Sequence, residues 1–193
     1  MSTVIITGSG GLIGAESVKF FSKKFSHVIG IDNDMRSYFF GKSASVRENI
    51  LSLKRKFKNY SHHEIDIRNF KKLHKIFKKY NNKISFVIHS AAQPSHDWAA
   101  KEPLVDYSIN STGTVNILEN LRLVCPNAKL AYLSTNKVYG DRPNTLPIQE
   151  KKGRYELRRI SKFYKRGIDE TMNIDDCKHS LFGAGKLSSD IYC

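Results

Sequence analysis

Cysteine is scarce in this chain: Cys125, Cys177 and Cys193 are odd in number, far apart and without metal-ligand spacing. That argues against a disulfide framework or a metal site as the organising device, and the three read as reduced thiols. No apolar run approaches the roughly 20 residues that a membrane helix needs, and the amino terminus enters a strand pattern with no charged leader or cleavage site. A membrane partner is therefore not expected, and a cytoplasmic location is. Internal repeats and low-complexity segments are also missing.

Negative charge is in short supply, with 18 acidic against 32 basic residues and a formal net charge of +14. Such an excess raises the question of a polyanionic partner. Its distribution argues otherwise. Between Phe70 and Tyr80, the residues Phe70, Leu73, Phe77 and Tyr80 share one helix face, while Lys71, Lys75, Lys78 and Lys79 lie mostly away from it. The cluster Lys54-Arg55-Lys56-Phe57-Lys58 is the better candidate for phosphate contacts, but no nucleic-acid module accompanies it. A solvated lysine surface and no nucleic-acid partner are expected.

What is present is a glycine turn between a strand and a helix. Val4-Ile5-Ile6 runs into Thr7-Gly8-Ser9-Gly10-Gly11-Leu12-Ile13-Gly14, which opens an amphipathic segment. Gly8, Gly11 and Gly14 leave room for a pyrophosphate beside the backbone amides of a helix N-terminus, where the helix dipole favours negative charge. The helix is expected to reach about Phe25 and to bury Ile13, Val18 and Phe21. Val28-Ile29-Gly30-Ile31 follows as a second strand closed by Asp32, eighteen residues after Gly14. A carboxylate near that spacing accepts hydrogen bonds from the adenosine ribose hydroxyls and repels a 2′-phosphate, which favours NAD over NADP even with Arg36 nearby. Asn33, next to it, joins the expected cofactor set.

Residues 33 to 60 carry no clean period; a helix around Ser45 to Phe57 would cover the adenine end. His63 to Arg68 reads as the third strand, with Asp66 and the Ile67 backbone placed to meet the adenine, or with Asp66 capping a helix. Ile84 to His89 is the fourth strand, followed by Ser90-Ala91-Ala92-Gln93-Pro94, whose small residues let a cofactor pass close to the backbone. A helix from about Leu104 to Val124 sets Ile109, Gly113, Ile117 and Leu121 one turn apart, with Asn110 read as a packing or hydrogen-bonding residue. Lys129 to Leu133 is the fifth strand and leads to the hydroxyls of Ser134 and Thr135. A long polar stretch, about 141 to 178, reads as a functional lid. A last helix spans His179 to Tyr192 with Lys186 near its middle. Five strand and helix alternations specify an α/β fold, a Rossmann-type doubly wound, mostly parallel sheet whose ligand crevice lies at the ends of strands one, four and five.

These residues resemble the extended short-chain dehydrogenases, and within them the NAD-dependent nucleotide-sugar epimerases of the CDP-paratose/tyvelose kind. Thr7 to Gly14 looks like that family's glycine loop, Asp66-Ile67-Arg68 like its adenine-side motif, and His89 to Trp98 like its fourth-strand signature. Ser134-Thr135-Asn136-Lys137-Val138-Tyr139-Gly140-Asp141 is the most specific piece, and the similarity continues through Gly167 to Glu170 and His179 to Lys186. The resemblance implies a cofactor, NAD, that takes a hydride from a sugar carbon and returns it to the opposite face. It implies that Lys186 holds the nicotinamide ribose and that Thr135, with Ser134, positions the sugar. Family enzymes continue beyond this length with further strands and a substrate lobe, so the sheet is expected to be incomplete on its C-terminal side. An exposed edge would favour self-association or pairing with a full-length relative.

Two positions depart from the family pattern. Phe182 stands where a tyrosine four residues before the lysine commonly acts as base, and Gly185 stands where a serine is expected. A phenyl ring exchanges no proton. Either a neighbour such as Tyr139 or His179 substitutes, or the chain binds its cofactor without turnover.

Overall fold

The computed structural model describes residues 2–193. The chain runs β1 (Thr3–Thr7), α1 (Leu12–Phe21), β2 (His27–Asp32), α2 (Met35–Phe40), α3 (Arg47–Lys56), β3 (Tyr60–Glu64), α4 (Phe70–Tyr80) and β4 (Ile84–His89). There follow α5 (His96–Lys101), α6 (Pro103–Tyr107), a π turn (Ser108–Thr112), α7 (Gly113–Val124), β5 (Lys129–Tyr132), a hairpin of β6 (Ile148–Lys151) and β7 (Arg154–Leu157), and α8 (Leu181–Tyr192).

The five-stranded sheet has the order β3-β2-β1-β4-β5, and all its pairings are parallel. Alternation along the strands builds two cores. Ile5, Ile29, Ile31 and Val87 pack with Leu73 and Phe77 of α4 and Ile117 of α7. Val4, Ile6, Val28 and Ile88 pack on the other face with Ala15 and Val18 of α1 and Leu53 of α3. Burial on both faces is why these strands read as continuous apolar runs. The winding reverses between β1 and β4, so the crevice opens at the carboxyl ends of those two strands.

The sequence reading needs correction at several boundaries. α1 ends at Phe21 and buries Gly14, Ala15 and Val18, whereas Ile13 is exposed. The third strand lies three residues earlier than expected, because Tyr60 reaches the core and its hydroxyl donates to the Ser9 hydroxyl at 3.1 Å. The cap of α4 is Asn69, which accepts from the Lys72 N–H, and not Asp66. The long helix is two segments joined by the π turn, and Ile109, Gly113, Ile117 and Leu121 do lie on its buried face. The stretch from about 141 to 178 contains the antiparallel β6–β7 hairpin.

Segment 33–46, which carried no period, is fixed by polar contacts. Asp34 adopts the left-handed conformation (φ 55°) and accepts from the Val46 N–H at 2.8 Å and the Ser45 hydroxyl at 2.7 Å. Burial raises its pKa, but these bonds and Arg47 outweigh it, leaving the carboxyl below its ordinary range. α2 and the start of α3 are thereby held over the end of β2. Lys71, Lys75, Lys78 and Lys79 are exposed along α4.

Candidate functional site

The glycine turn is a steric necessity. Gly8 has φ +66°, and a side chain there would meet the Ala91 nitrogen at 2.8 Å. A Cβ on Gly14 would overlap the carbonyl oxygen of Gly8. The Gly8 N–H donates to Ile31 O at 2.8 Å, tying the turn to the end of β2. α1 then begins without a side-chain cap and without an acidic residue in its first turn. Its first N–H groups have no intrahelical acceptors and are available to an anion.

A cavity of about 230 Å³ lies against this helix end. Gly8, Gly11, Leu12, Ile13 and Gly14 form one wall, Asp32 and Asn33 a second, Asp66 and Ile67 a third, and Ala91 and Ala92 a fourth. Asp32 accepts from the Gly10 N–H and the Asp34 N–H, both at 2.9 Å, using one bond on each oxygen. A carboxylate has about four acceptor sites, so two remain for ligand hydroxyls. Asp66 is gripped by Arg68, whose Nη2 donates to Oδ2 at 2.6 Å. Burial raises the Asp66 pKa, yet the Arg68 contacts prevail and hold it below the ordinary carboxylate range.

The sequence reading missed part of the wall. Met35, Phe39 and Phe40 of α2 and Val46 before α3 line the same cavity, beside Arg36. Their signal was hidden because α2 is only six residues long.

Gln93 lies outside this lining. It is buried, its Nε2 donating to Asp106 Oδ1 at 2.7 Å and to Ser95 O at 2.8 Å, while its own N–H donates to Asn110 Oδ1 at 3.0 Å. Asn110 completes the network by donating to Asp106 Oδ1 at 3.0 Å. His89, beneath it, bonds Thr7 Oγ1 through Nδ1 at 2.6 Å and Thr114 Oγ1 through Nε2 at 3.0 Å. The Thr114 hydroxyl donates to Asn110 O, so it accepts from His89 Nε2–H, and Nδ1 accepts from Thr7. Burial, with the Lys186 charge, pushes His89 down to about 3 and keeps it neutral.

Lys186 is also absent from the cavity lining and is buried on α8. Its ammonium donates to Leu133 O at 2.8 Å and stands 4.3 Å from the centre of the Tyr132 ring. That bond fastens α8 beside Ser134 and Thr135. Burial pulls the Lys186 pKa down to about 8, with Asp190 and Asp106 offsetting part of the effect. Thr135 caps the turn Asn136–Tyr139, its hydroxyl accepting from the Lys137 N–H at 3.4 Å, and Ser134 is exposed. Phe182 is buried with its ring centre 4.8 Å from that of His96.

The two suggested substitutes for the missing phenol lie together. Cys177 Sγ is 3.3 Å from His179 Nε2 and 3.7 Å from Tyr139 O, and its thiol donates to Ile174 O at 3.0 Å. Burial and the carboxylates of Glu170, Asp169 and Asp190 raise the Tyr139 hydroxyl, which is the wrong direction for a base. No group of His, Cys, Asp and Glu able to hold a metal occurs among the described residues.

The model of the NAD dependent epimerase/dehydratase family matches residues 4–166. The chain belongs to that family. Within it, the chain is similar to the CDP-paratose 2-epimerase of Salmonella typhi, at 31% identity over 98% of this chain and 51% of that protein. It is also similar to the UDP-glucuronate 4-epimerase of Thermodesulfobacterium geofontis, at 33% identity over 72% of this chain and 41% of that one. The fold matches the UDP-Glc/GlcNAc 4-epimerase from Campylobacter jejuni with a TM-score of 0.74 at 21% identity, covering 100% of this chain and 48% of the other. It matches the UDP-glucose 4-epimerase of Thermus thermophilus in complex with NAD with a TM-score of 0.68 at 23% identity, covering 98% and 49%. The chain thus spans about half the length of these family members. Among the described residues, no helix is long and apolar enough to cross a membrane.

Proposed function

We propose that this chain binds NAD in the cavity at the start of α1 and serves the epimerisation of a nucleotide-sugar of the CDP-hexose type. The observation that carries this reading is the convergence of the glycine turn, Asp32, Asp66 and Ala91-Ala92 on one cavity. The free N–H groups of α1 would hold the pyrophosphate, Asp32 the adenosine ribose, and the Asp66–Ile67 wall the adenine. Bound NAD supplies a reversible hydride acceptor. Lys186 would hold the nicotinamide ribose, and the Ser134 and Thr135 hydroxyls would orient the sugar oxygen. The CDP-hexose choice follows from the Salmonella typhi relative, which is matched along 98% of this chain.

The first test is thermal. A ligand at a hundred times its Kd stabilises by about 2.7 kcal/mol, so NAD should raise the melting temperature by several degrees and NADP by less. No rise with NAD removes the reading. Incubation with a CDP-hexose and NAD then asks for the epimer and for transient reduced nicotinamide by absorbance. A second reading, cofactor binding without turnover, is favoured by Phe182 at the position of the usual base. It predicts the melting shift without any reduced nicotinamide.

A further inference from the structure

Removing hydride from a carbinol leaves a proton that something must accept, and Phe182 cannot. The two departures on α8 have structural counterparts. Against the Phe182 ring lies the imidazole of His96, the first residue of α5 and solvent-exposed. In the space that a side chain at position 185 would fill lies the carboxylate of Asp106, with Oδ2 only 3.0 Å from where a Cβ on Gly185 would stand. A side chain there would press on that carboxylate and make it give by a few tenths of an ångström.

We propose that His96 is the proton acceptor in place of the phenol, and that Asp106 is its positioning counter-charge, admitted to the site by Gly185. This rests on the epimerase reading above. Asp106 is 2% exposed; its Oδ1 accepts from Gln93 and Asn110, whereas Oδ2 accepts no protein hydrogen bond among the described residues. It stands in the field of both His96 and Lys186. Burial raises the Asp106 pKa against the pull of its hydrogen-bond donors and of those two cations. The charges that act on Asp106 are thus His96 from α5 and Lys186 from α8, and Asp97 follows His96 on its own helix. Pro94, two residues before it, lines the cofactor cavity, so the segment leads from that cavity to the Phe182 ring.

The step balances simply. With NAD bound to supply the hydride acceptor, the carbinol O–H bond would break as its carbon lost hydride, the electron pair would close the C=O bond, and the proton would pass to a ring nitrogen of His96. On return, the imidazolium would give that proton back to the sugar oxygen as hydride was restored to the other face. A histidine titrates in the range that suits such exchange near neutral pH.

The test uses the full chain with NAD, in wild type, His96→Gln, Asp106→Asn and the double variant His96→Gln/Phe182→Tyr. The titration of the His96 ring is followed by NMR. Its midpoint should fall in Asp106→Asn, and an unchanged midpoint overturns the pairing whatever the catalytic result. His96→Gln, an exposed change, should keep the NAD-dependent melting shift while losing reduced-nicotinamide formation with CDP-hexose about a hundredfold or more, and the added tyrosine should return part of it. Hydride removal at the wild-type rate in His96→Gln overturns the assignment. If wild type forms no reduced nicotinamide at all, the epimerase reading fails, and this assignment fails with it; the NMR midpoint still decides whether the two side chains are paired.

Discussion

The cofactor half of the molecule and the half around β5 and α8 are built in different ways. In the first, the cavity walls come from the ends of β1, β2, β3 and β4, of which β1, β2 and β4 are paired on both sides, and the turn after β1 has no spare volume: Gly8 abuts Ala91 and Gly14 abuts Gly8. In the second, β5 is one edge of the sheet, as β3 is the other, Ser134 is exposed, and the β6–β7 hairpin pairs only with itself. The second half is seated by the buried Phe182 and Val138 and by a few polar ties: Lys186 to Leu133 O, Ser189 to Asn110 O at 2.5 Å, and the Ser111–Ser188 pair at 2.7 Å. A close-packed turn fixes its geometry by exclusion, whereas a polar tie fixes it only while it is made. The cofactor turn should therefore respond most steeply to added volume, and the buried Lys186 to changes of charge.

The sharpest way to break this contrast is Gly14→Ala. The added methyl overlaps the Gly8 carbonyl oxygen, which is backbone and has nowhere to move. Destabilisation of about 3 kcal/mol and loss of the NAD-dependent melting shift are expected. A variant that melts like wild type and still responds to NAD would mean that the turn has slack.

Lys186→Met probes the other half with the opposite sign. Burial lowers the Lys186 pKa from 10.5 to about 8, so below pH 8 the folded state carries a charge that is less well solvated than in the unfolded chain. For a base with a depressed pKa, the wild type gains stability as pH rises from about 8 to about 10.5, because there the unfolded chain binds more protons. At pH 7 the Met variant should be more stable by up to about 3 kcal/mol, less the lost bond to Leu133 O. The gap should close by about pH 10.5. Thermal melts of both proteins across that range would show it, and a gap independent of pH would remove burial as its cause.

How far this was legible in the sequence follows the same division. Val4-Ile5-Ile6, the glycine turn and Asp32 carry local, periodic signals, and so do Ala91-Ala92 and the helix face of Ile109, Gly113 and Ile117. The third strand starts earlier than expected because Ser61-His62-His63-Glu64 shows no apolar alternation, and what anchors it is Tyr60, buried with its hydroxyl on Ser9. Segment 33–46 was opaque because Asp34 organises it through contacts eleven and twelve residues away. Gln93 and Asp106 are equally hidden: Gln93 adjoins the small residues expected at the cofactor, yet its side chain bonds Asp106 across thirteen residues. Pairwise polar ties leave no period, and α5, where His96 meets Phe182, is too short to announce itself.

A smaller effect sharpens the cofactor side. In Asp32→Ala the Gly10 and Asp34 N–H groups lose their common acceptor. A cost of about 1–2 kcal/mol is expected, together with weaker NAD binding and a narrower preference for NAD over NADP. Calorimetric titration with both dinucleotides checks it, and an unchanged preference would leave Asp32 as a purely structural tie.

The smallest effect should come from the hairpin. Tyr155 on β7 is 70% exposed, and the hairpin's ion pairs, Lys151 and Arg154 with Glu156, sit at the surface, where such pairs contribute little. Tyr155→Ser should shift stability by no more than about 0.5 kcal/mol and leave the NAD response unchanged. The comparison is informative because the hairpin belongs to the same polar stretch as Cys177, whose thiol lies against His179. If so exposed a substitution lowers the melting temperature by several degrees, the hairpin is packed on a surface in solution, and the stretch from 141 to 178 is a seated element whose contacts reach α8. If only the NAD response moves, the hairpin reaches toward the cofactor cavity and acts as the lid that the sequence led one to expect.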